Sequence, residues 1–513
     1  MSKPLTQQLF QLIKTLTKSE KRHFRLYATR NGGGADLKFL ALFTALDAQS
    51  QYDEDALLSK VDGVSKRQLS NLKSHLYNQI LVSLRLLRRK QGDLELHELL
   101  DFACVLYDKG LYLQSLEQLS KARVLARKRH RQTVLLEIIE FEKRIETRHI
   151  TRSHAERAEE LISWSKETRQ GIGADEAWSD LALEMYGLYL RIGHVKNHEE
   201  YAFVVEYFES RIPQERGELS FFGQIYRAQA RVWCHYILQN WKHCFRYATT
   251  WVRLFQEYPE FQELEFDLFV KGIHNLLSVL FYNMDRERYR WYFTLLEDVI
   301  GAYEEELSDN SRIYNFVYLE MARINRYFLD AEFELAIQEI PRIELRLEEL
   351  RARLDVHRLL VFWYKFACLH FGAGQYHECI QYLQRIINYP QLPLREDIQV
   401  FARILSLIAH YELGNHDLID AQIRSVYRYL LKLENMQQVQ KAVMDFLKNS
   451  VYMDIHHIIP HFQKLQDRLE EIAKNPYERR PFLYLDLYTY LRSKIEGISI
   501  PEAARKRVEE KRY

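Results

Sequence analysis

The chain has 513 residues, 47% of them hydrophobic and 28% charged, which is the composition of a folded globular protein rather than a disordered or fibrous one. Its formal net charge of +1 favours no class of charged partner, and no apolar run approaches the ~18 residues of a membrane span. With only 18 glycines, 10 prolines and few alternating apolar runs, the sequence argues against a β-rich fold and predicts an all-α chain.

Residues 1–92 are predicted to form a separate basic helical module. Residues 1–90 carry nine more basic than acidic side chains, and two capping boxes, Thr17 with Glu20 and Ser65 with Gln68, mark helix starts within them. A short helix, a turn at Gly63 and a longer helix give this module a helix-turn-helix-like pattern. The longer helix is expected to expose residues that can contact phosphates and base edges, which are Lys66, Arg67, Asn71, Lys73 and Ser74. The alternative is an ordinary helical turn whose lysines and arginines are solvated.

Residues 93–445 are predicted to form successive helices. The densest basic cluster, residues 121–131, is interpreted as a solvated helical face or, alternatively, as a patch for an anionic partner. Residues 171–175 are predicted to form a loop because they contain two glycines. Five prolines are predicted to lie at helix ends, where the ring is tolerated: Pro213, Pro259, Pro341, Pro390 and Pro393.

The stretch at 363–386, WYKFACLHFGAGQYHECIQYLQRI, has the form of two helices around a tight turn at Gly374. Its order of a tryptophan, a small residue, a turn glycine, a tyrosine and a second small residue resembles the tetratricopeptide repeat (TPR). The residues that carry the resemblance are Trp363, Ala367, Gly374, Tyr376 and Cys379. Fainter copies begin at Gly110 with Tyr112, at Ala331, at Gly414 and, without a glycine, at Trp241.

The repeats predict a TPR-like helical-hairpin solenoid, a right-handed superhelix, with the N-terminal module in front of it. Turn-to-turn steps of 40 and 43 residues exceed the ~34 of the standard repeat, so longer helices or a drifting register are expected. An irregular helical bundle is the alternative. Residues 446–513 are predicted to supply helices that cap the last hairpin, followed by a charged tail.

A second resemblance covers both ends of the chain. The strings LIKTLTKSEKRHFRLYA, QLSNLKSHLYNQILVSLRLLR and PFLYLDLYTYLRSKIEG resemble a family of bacterial cytoplasmic proteins of unknown function with TPR-like helices. This resemblance implies an architecture and brings no catalytic residue, cofactor or partner with it.

A search for reactive constellations gives no enzyme class. Gly32, Gly33 and Gly34 lack the Lys and Ser or Thr of a phosphate-binding loop, and no GxSxG motif occurs. The pairs His194/His198 and His457/His461 have a spacing that can share a cation, but with 19 histidines such pairs arise by chance. Pro460 is also expected to disrupt the helix that carries the second pair. The chain is therefore predicted to be non-enzymatic, with no catalytic residue, cofactor or metal.

The sequence favours a protein–protein interaction scaffold whose partner is a protein or peptide of unknown identity. The alternative is a nucleic-acid-associated regulator that reads with the basic module and senses with the solenoid. Five scattered cysteines without a CxxC pair, and an N-terminus without signal-peptide features, predict reduced, buried thiols and a cytoplasmic location. No membrane association is expected, and the oligomeric state is not indicated.

Overall fold

The structure of the protein is a computed structural model. It describes residues 5–30, 34–60, 66–90, 92–149, 155–214, 219–304, 307–351, 353–389, 396–432, 437–450, 453, 455–479 and 481–510. The regular structure of these residues is helical and includes no strand, which confirms the all-α prediction. By packing, the chain divides into two compact units, residues 1–170 and 171–513. The domain boundaries predicted after residues 92 and 445 do not coincide with this division, and they stay predictions.

The helices follow one another with short connections. The first unit contains α1 (Leu5–Thr15), α2 (Lys18–Arg30), α3 (Gly34–Ala48), α4 (Glu54–Lys60), α5 (Lys66–Leu87), α6 (Asp93–Asp108), α7 (Tyr112–Lys128) and α8 (Gln132–His149). Helix α9 (Ala155–Ile192) runs through the division between the units. The second unit continues with α10 (His198–Glu209), α11 (Phe221–Ile237), α12 (Trp241–Glu257), α13 (Glu260–Leu264), α14 (Phe266–Tyr282), α15 (Arg286–Tyr303), α16 (Asp309–Asp330), α17 (Phe333–Leu350), α18 (Val356–Gly372), α19 (Tyr376–Ile387), α20 (Glu396–Glu412), α21 (His416–Lys432) and α22 (Gln438–Ser450). It ends with α23 (Ile455–Ala473), a 3-10 turn (Pro476–Glu478), α24 (Pro481–Tyr484), α25 (Leu487–Glu496) and α26 (Ile500–Glu510).

The first unit contains two separate hydrophobic clusters. One is formed by α1 to α5, and the other by α6 to α8 with the start of α9. The capping box at the start of α2 is confirmed, because the Thr17 N–H donates to the Glu20 carboxylate at 2.9 Å and the Glu20 N–H donates to the Thr17 hydroxyl at 3.2 Å. The second capping box and the turn at Gly63 lie outside the described residues.

Helix α9 continues without interruption through 171–175, so the predicted loop there is wrong. A glycine inside a helix costs only ~1 kcal/mol relative to alanine. Burial of one face of the following helical turns outweighs that cost. The buried side chains of this face are Trp178, Leu181, Met185 and Leu188.

Two prolines also lie within helices. Pro341 is in the middle of α17, which contradicts its predicted place at a helix end, and Pro460 lies inside α23, which it was expected to disrupt. In α17 the ring removes one backbone hydrogen bond, while Ile340, Ile343 and Leu347 hold both sides of the interruption in the core. Pro213 and Pro259 do lie outside or at the edge of helices, and Pro390 and Pro393 are outside the described residues.

In the second unit, helices pack in a repeating order. From α14 to α22 each helix contacts the next, and α14, α16, α18, α20 and α22 also contact each other in turn. The hairpin α18–α19 is the one predicted around Gly374. Ala367 and Cys379, the small residues expected to let its helices approach, are fully buried.

The turns between paired helices share one backbone feature, a residue with positive φ. In the second unit these residues are Gln239, Met284, Ala331, Gly374 and Gly414, which are 45, 47, 43 and 40 residues apart. In the first unit Gly110 has φ 76° before α7, which begins at Tyr112 as the repeat pattern predicts. The turn at Met284 was not predicted, because no glycine marks it.

Candidate functional site

The second unit contains a cavity of about 760 Å³, within the size range of small-molecule and peptide sites. Alternate helices line it: α14, α16, α18 and α20 each contribute several side chains. Of the intervening helices, α17 contributes only its first residue, Phe333, while α15, α19 and α21 contribute none of the described lining residues. We refer to the side chains that α14, α16, α18 and α20 present to the cavity as the cavity face.

The C-terminal residues of the same chain form the other wall of the cavity. Lining residues occur in the 3-10 turn, α24, α25 and α26, and helix α26 contacts α16. We refer to residues 476–510 as the C-terminal segment. The expectation that C-terminal helices cap the last hairpin is therefore incomplete, since this segment also reaches helices much earlier in the array.

Polar contacts fix the C-terminal segment at both ends of the array. Near its start, the Tyr477 hydroxyl lies 3.2 Å from His198 Nδ1 beside α10, and the Glu478 carboxylate accepts the backbone N–H of Gln438 at 3.0 Å. Further on, the Tyr490 hydroxyl donates to Glu412 at 2.6 Å and Lys494 forms an ion pair with the same carboxylate. Glu412 is thus an anchor that holds α25 against the end of α20.

Lys365 is the cation of the cavity face. Its ammonium group donates to the side-chain oxygen of Asn325 at 2.7 Å and lies 4.3 Å from the ring centre of Phe281 and 5.0 Å from that of Phe328. No carboxylate of the described residues lies within ion-pair distance of it. Burial lowers the pKa of Lys365 to about 8, so the side chain is protonated at neutral pH at a desolvation cost. The neighbouring thiol, Cys368, has its pKa raised to about 12 by burial.

His274 on α14 is a second buried polar group of the cavity face. Its ring stacks on Tyr318 with centres 4.3 Å apart, and its Nδ1 atom has no hydrogen-bond partner among the described groups. Burial, followed by the positive charges of Arg358 and Lys271, lowers the pKa of His274 to about 3. The ring is therefore neutral at physiological pH. Arg358 itself covers Tyr314 and Tyr318, and its Nη1 atom is also buried without a partner.

The residues that carry the TPR resemblance are structural. Trp363 packs beside Tyr389 with ring centres 6.1 Å apart, and Tyr376 begins α19. None of Trp363, Ala367, Gly374, Tyr376 or Cys379 lines the cavity. Trp251 is fully buried in the core, whereas Trp241 stacks on Tyr282 at 4.8 Å and lines the cavity.

The structure places the candidate nucleic-acid residues differently from the expectation. Lys73 is only 3% exposed, and its ammonium group lies 2.7 Å from the Glu54 carboxylate and 2.6 Å from the Tyr52 hydroxyl. The expectation that Lys73 is exposed is therefore wrong. Because a buried cation requires a partner, its ammonium group is paired with these two side chains. The side chains of Lys66 and Arg67 lie outside the described part of the chain.

The basic cluster at 121–131 is largely matched by carboxylates of neighbouring helices. Arg123 is a buried ion pair with Glu142 at 2.9 Å and packs over Trp164 at 4.4 Å. The remaining pairs are Lys121–Glu117, Arg129–Glu95 and Arg131–Asp93. The cluster thus joins α6, α7 and α8.

Among the described residues, no three His, Cys, Asp or Glu side chains group so as to hold a metal ion. His194 instead contacts the Tyr236 carbonyl at 2.8 Å, and His198 contacts Tyr477. All five cysteines are free thiols, of which Cys104 is exposed, contrary to the prediction of buried thiols. None of the described helices has the length and apolarity needed to cross a membrane.

Sequence reasoning missed Lys365 as a site residue. It was visible only as the one charge that interrupts the apolar run 359–371. A single lysine inside a long apolar helix segment is a usable signal, because burying an ammonium group is costly without a compensating role. Comparison with protein-family models, with curated proteins and with solved structures gives no match to this chain.

Proposed function

We propose that this chain is a non-enzymatic cytoplasmic scaffold that binds a protein or peptide, and that α11 to α22 form a TPR-like right-handed solenoid. The alternating helix contacts and the turns at intervals of 40 to 47 residues support the repeat architecture. In such a stack, the first helix of each hairpin faces a concave surface, which is where partner segments bind.

The observation that carries the proposal is that the cavity face already binds polypeptide, namely the C-terminal segment. Aromatic contacts recur along it: Tyr477 with Tyr201 at 6.4 Å, and Tyr490 with Phe371 at 5.6 Å. Hydrogen bonds to His198, Gln438 and Glu412, which lie outside the cavity lining, hold the same segment. A surface that combines rings with spaced polar groups is suited to a folded or extended segment of another chain.

Site-specific photocrosslinking tests the proposal in cells. A photoreactive phenylalanine analogue replaces Tyr314, which is 36% exposed and contacts Arg358. Tyr314 lies about two helical turns before the cavity-lining Met321, and so on the same face of α16. The matched control replaces Leu345 on α17, which is 67% exposed and does not line the cavity. We expect a discrete protein adduct at position 314 that survives nuclease treatment and is absent at position 345.

Two results would contradict the scaffold function. One is an identical set of adducts at both positions, which would indicate non-specific collision. The other is an adduct at position 314 that disappears with nuclease, which would favour the nucleic-acid regulator. Of the three basic residues proposed for that alternative, the described one, Lys73, is paired with Glu54.

A further inference from the structure

Lys365 has an unfilled requirement that the fold itself creates. Two of its three N–H donors remain after the bond to Asn325, and the groups around it are aromatic rings rather than carboxylates. Cation–π contacts attract an ammonium group but bring no negative charge to it. Lys365 is partly buried, and the described residues supply no anion at this place.

The other cations that line the cavity are paired or solvated. Arg507 forms an ion pair with Asp486, and Arg479, which donates to the Ala473 carbonyl at 2.9 Å, is exposed to solvent. The lining of α20 is apolar, and that of α16 carries no charge. Lys365 is therefore the cavity's uncompensated charge among the described side chains.

Asn325 is oriented so as to hold Lys365 in place. Its side-chain oxygen accepts from the Lys365 ammonium group. Asn325 lies close to Tyr289, which is fully buried and donates its hydroxyl proton to the Ala322 carbonyl at 2.8 Å. An amide oxygen carries no net charge, so it holds the ammonium group without neutralising it.

The geometry points to a binding site for a small organic anion, with the anionic group on Lys365 and a flat apolar body among the surrounding rings. The cavity of about 760 Å³ accommodates a ligand of that size. Phe281 and Phe328 supply ring surfaces around the cation, and Tyr282 supplies a further ring in the cavity lining. This inference is independent of the scaffold function, since it requires only the second unit's own cavity.

The test uses two fluorescent probes that differ in charge. The first is 8-anilinonaphthalene-1-sulfonate, a permanent anion with a flat apolar body, and the second is N-phenyl-1-naphthylamine, its neutral counterpart. Full-length protein is titrated with each. We expect one saturable site for the anion, and a loss of at least tenfold in anion affinity in Lys365→Met, with the affinity for the neutral probe unchanged.

The pH dependence of anion binding supplies a second readout. Because the pKa of Lys365 is about 8 and the sulfonate charge does not change, the affinity should fall about tenfold between pH 7 and pH 9. Neither His274, with a pKa of about 3, nor Cys368, with a pKa of about 12, changes its charge in this window. The other ionisable groups of the lining near Lys365 are His357, Tyr364 and Asp486. In Lys365→Arg, anion binding should persist and the fall with pH should disappear.

Lys448→Met, which removes an exposed lysine of α22 outside the cavity, is the matched control and should behave as the wild type. Equal anion binding by wild type and Lys365→Met would overturn the inference. The absence of a saturable anion site would also overturn it. A loss of affinity for both probes in Lys365→Met would do the same, because it would show that the shape of the cavity rather than the charge of Lys365 governs binding.

Discussion

At the scale of single residues, the helix turns of the second unit depend on a left-handed backbone conformation that glycine does not always supply. Gly374 and Gly414 adopt it without a Cβ, whereas Gln239, Met284 and Ala331 adopt it with φ of 53° to 55°. The left-handed conformation costs a residue with a Cβ roughly 1–2 kcal/mol. The asparagine or aspartate after Gln239 and Met284 offsets part of this cost, because its side chain caps the next helix.

Two glycine-to-alanine changes should therefore have opposite effects on stability. Gly374 and Gly187 are both exposed, and a Cβ at either would meet nothing within 4 Å, so only the backbone distinguishes them. We expect Gly374→Ala to lower the free energy of unfolding by about 1 kcal/mol, because its φ is 75°. Gly187→Ala lies inside α9 and should raise it by about 1 kcal/mol. Urea unfolding of the full chain measures both, and effects of the same sign would contradict the assignment.

Glu20 joins the start of α2 to the end of α5 through its carboxylate. The group is 7% exposed and forms an ion pair with Arg88 at 2.6 Å. Burial alone would raise its pKa, but the Thr17 N–H and the Arg88 guanidinium outweigh burial and lower it below 4.5. The ionised carboxylate therefore stabilises the first unit above pH 4.5, and this contribution is lost as the pH falls through the lowered pKa.

Glu20→Gln keeps the capping geometry and removes the charge. We expect it to lower the free energy of unfolding of the first unit by about 1 kcal/mol at pH 7, with the difference from wild type disappearing as the pH falls well below 4.5. Thermal unfolding followed at several pH values measures this. A difference that persists unchanged to the acid limit would show that the ion pair is not its source.

At the scale of elements, the sequence predicts hairpins where the turn residue and the helix stripes are both conspicuous. The hairpin at Gly374 meets both conditions, whereas the turn at Met284 lacks a glycine and was missed although Asp285 marks the next helix start. The loop predicted at 171–175 and the break predicted at Pro460 are errors of the opposite kind, because glycine and proline were given more weight than the packing around them. Their helix propensities cost about 1 and about 3 kcal/mol, and burial of the surrounding helix face outweighs these costs, which sequence periodicity reports only in part.

The cavity could not be predicted from the sequence because its walls come from positions between Tyr189 and Val508. No local pattern states that the C-terminal segment returns to α10 and α16. The anchor at Glu412 is one glutamate among many in the sequence, and only the fold brings Tyr490 and Lys494 to it. Long-range contacts of this kind are the part of the site that a single sequence leaves open.

Removing the Glu412 charge should loosen the C-terminal segment. Glu412 is 9% exposed at its side chain, so Glu412→Gln leaves Lys494 without its carboxylate and weakens the bond from Tyr490. We expect proteolytic cleavage beyond residue 475 to become several-fold faster while the rest of the second unit stays protected. The control is Glu496→Gln on α25, because the partners of Glu496, Arg492 and Lys506, belong to the segment itself. Equal cleavage rates for the two variants would mean that Glu412 is not an anchor.

At the scale of the whole molecule, the hydrophobic core is divided in the same way as the chain. Each of the five hydrophobic clusters lies within one of the two units: two within residues 1–170 and three within 171–513. Cooperative unfolding follows the core that the residues share, so two units with separate cores are expected to unfold in separate transitions.

Calorimetry of the full chain with one core substitution in each unit tests this division. Ile80 in the first unit and Leu383 in the second are fully buried, and replacing either by alanine should cost about 2–5 kcal/mol through lost burial and a residual cavity. We expect Ile80→Ala to lower the temperature of one transition and Leu383→Ala that of the other, by several degrees each. The double variant should show both shifts together, because the two sites share no core. A single transition that either substitution lowers would instead show that the units unfold as one cooperative body, so that the continuous helix α9 transmits stability between cores that are otherwise separate.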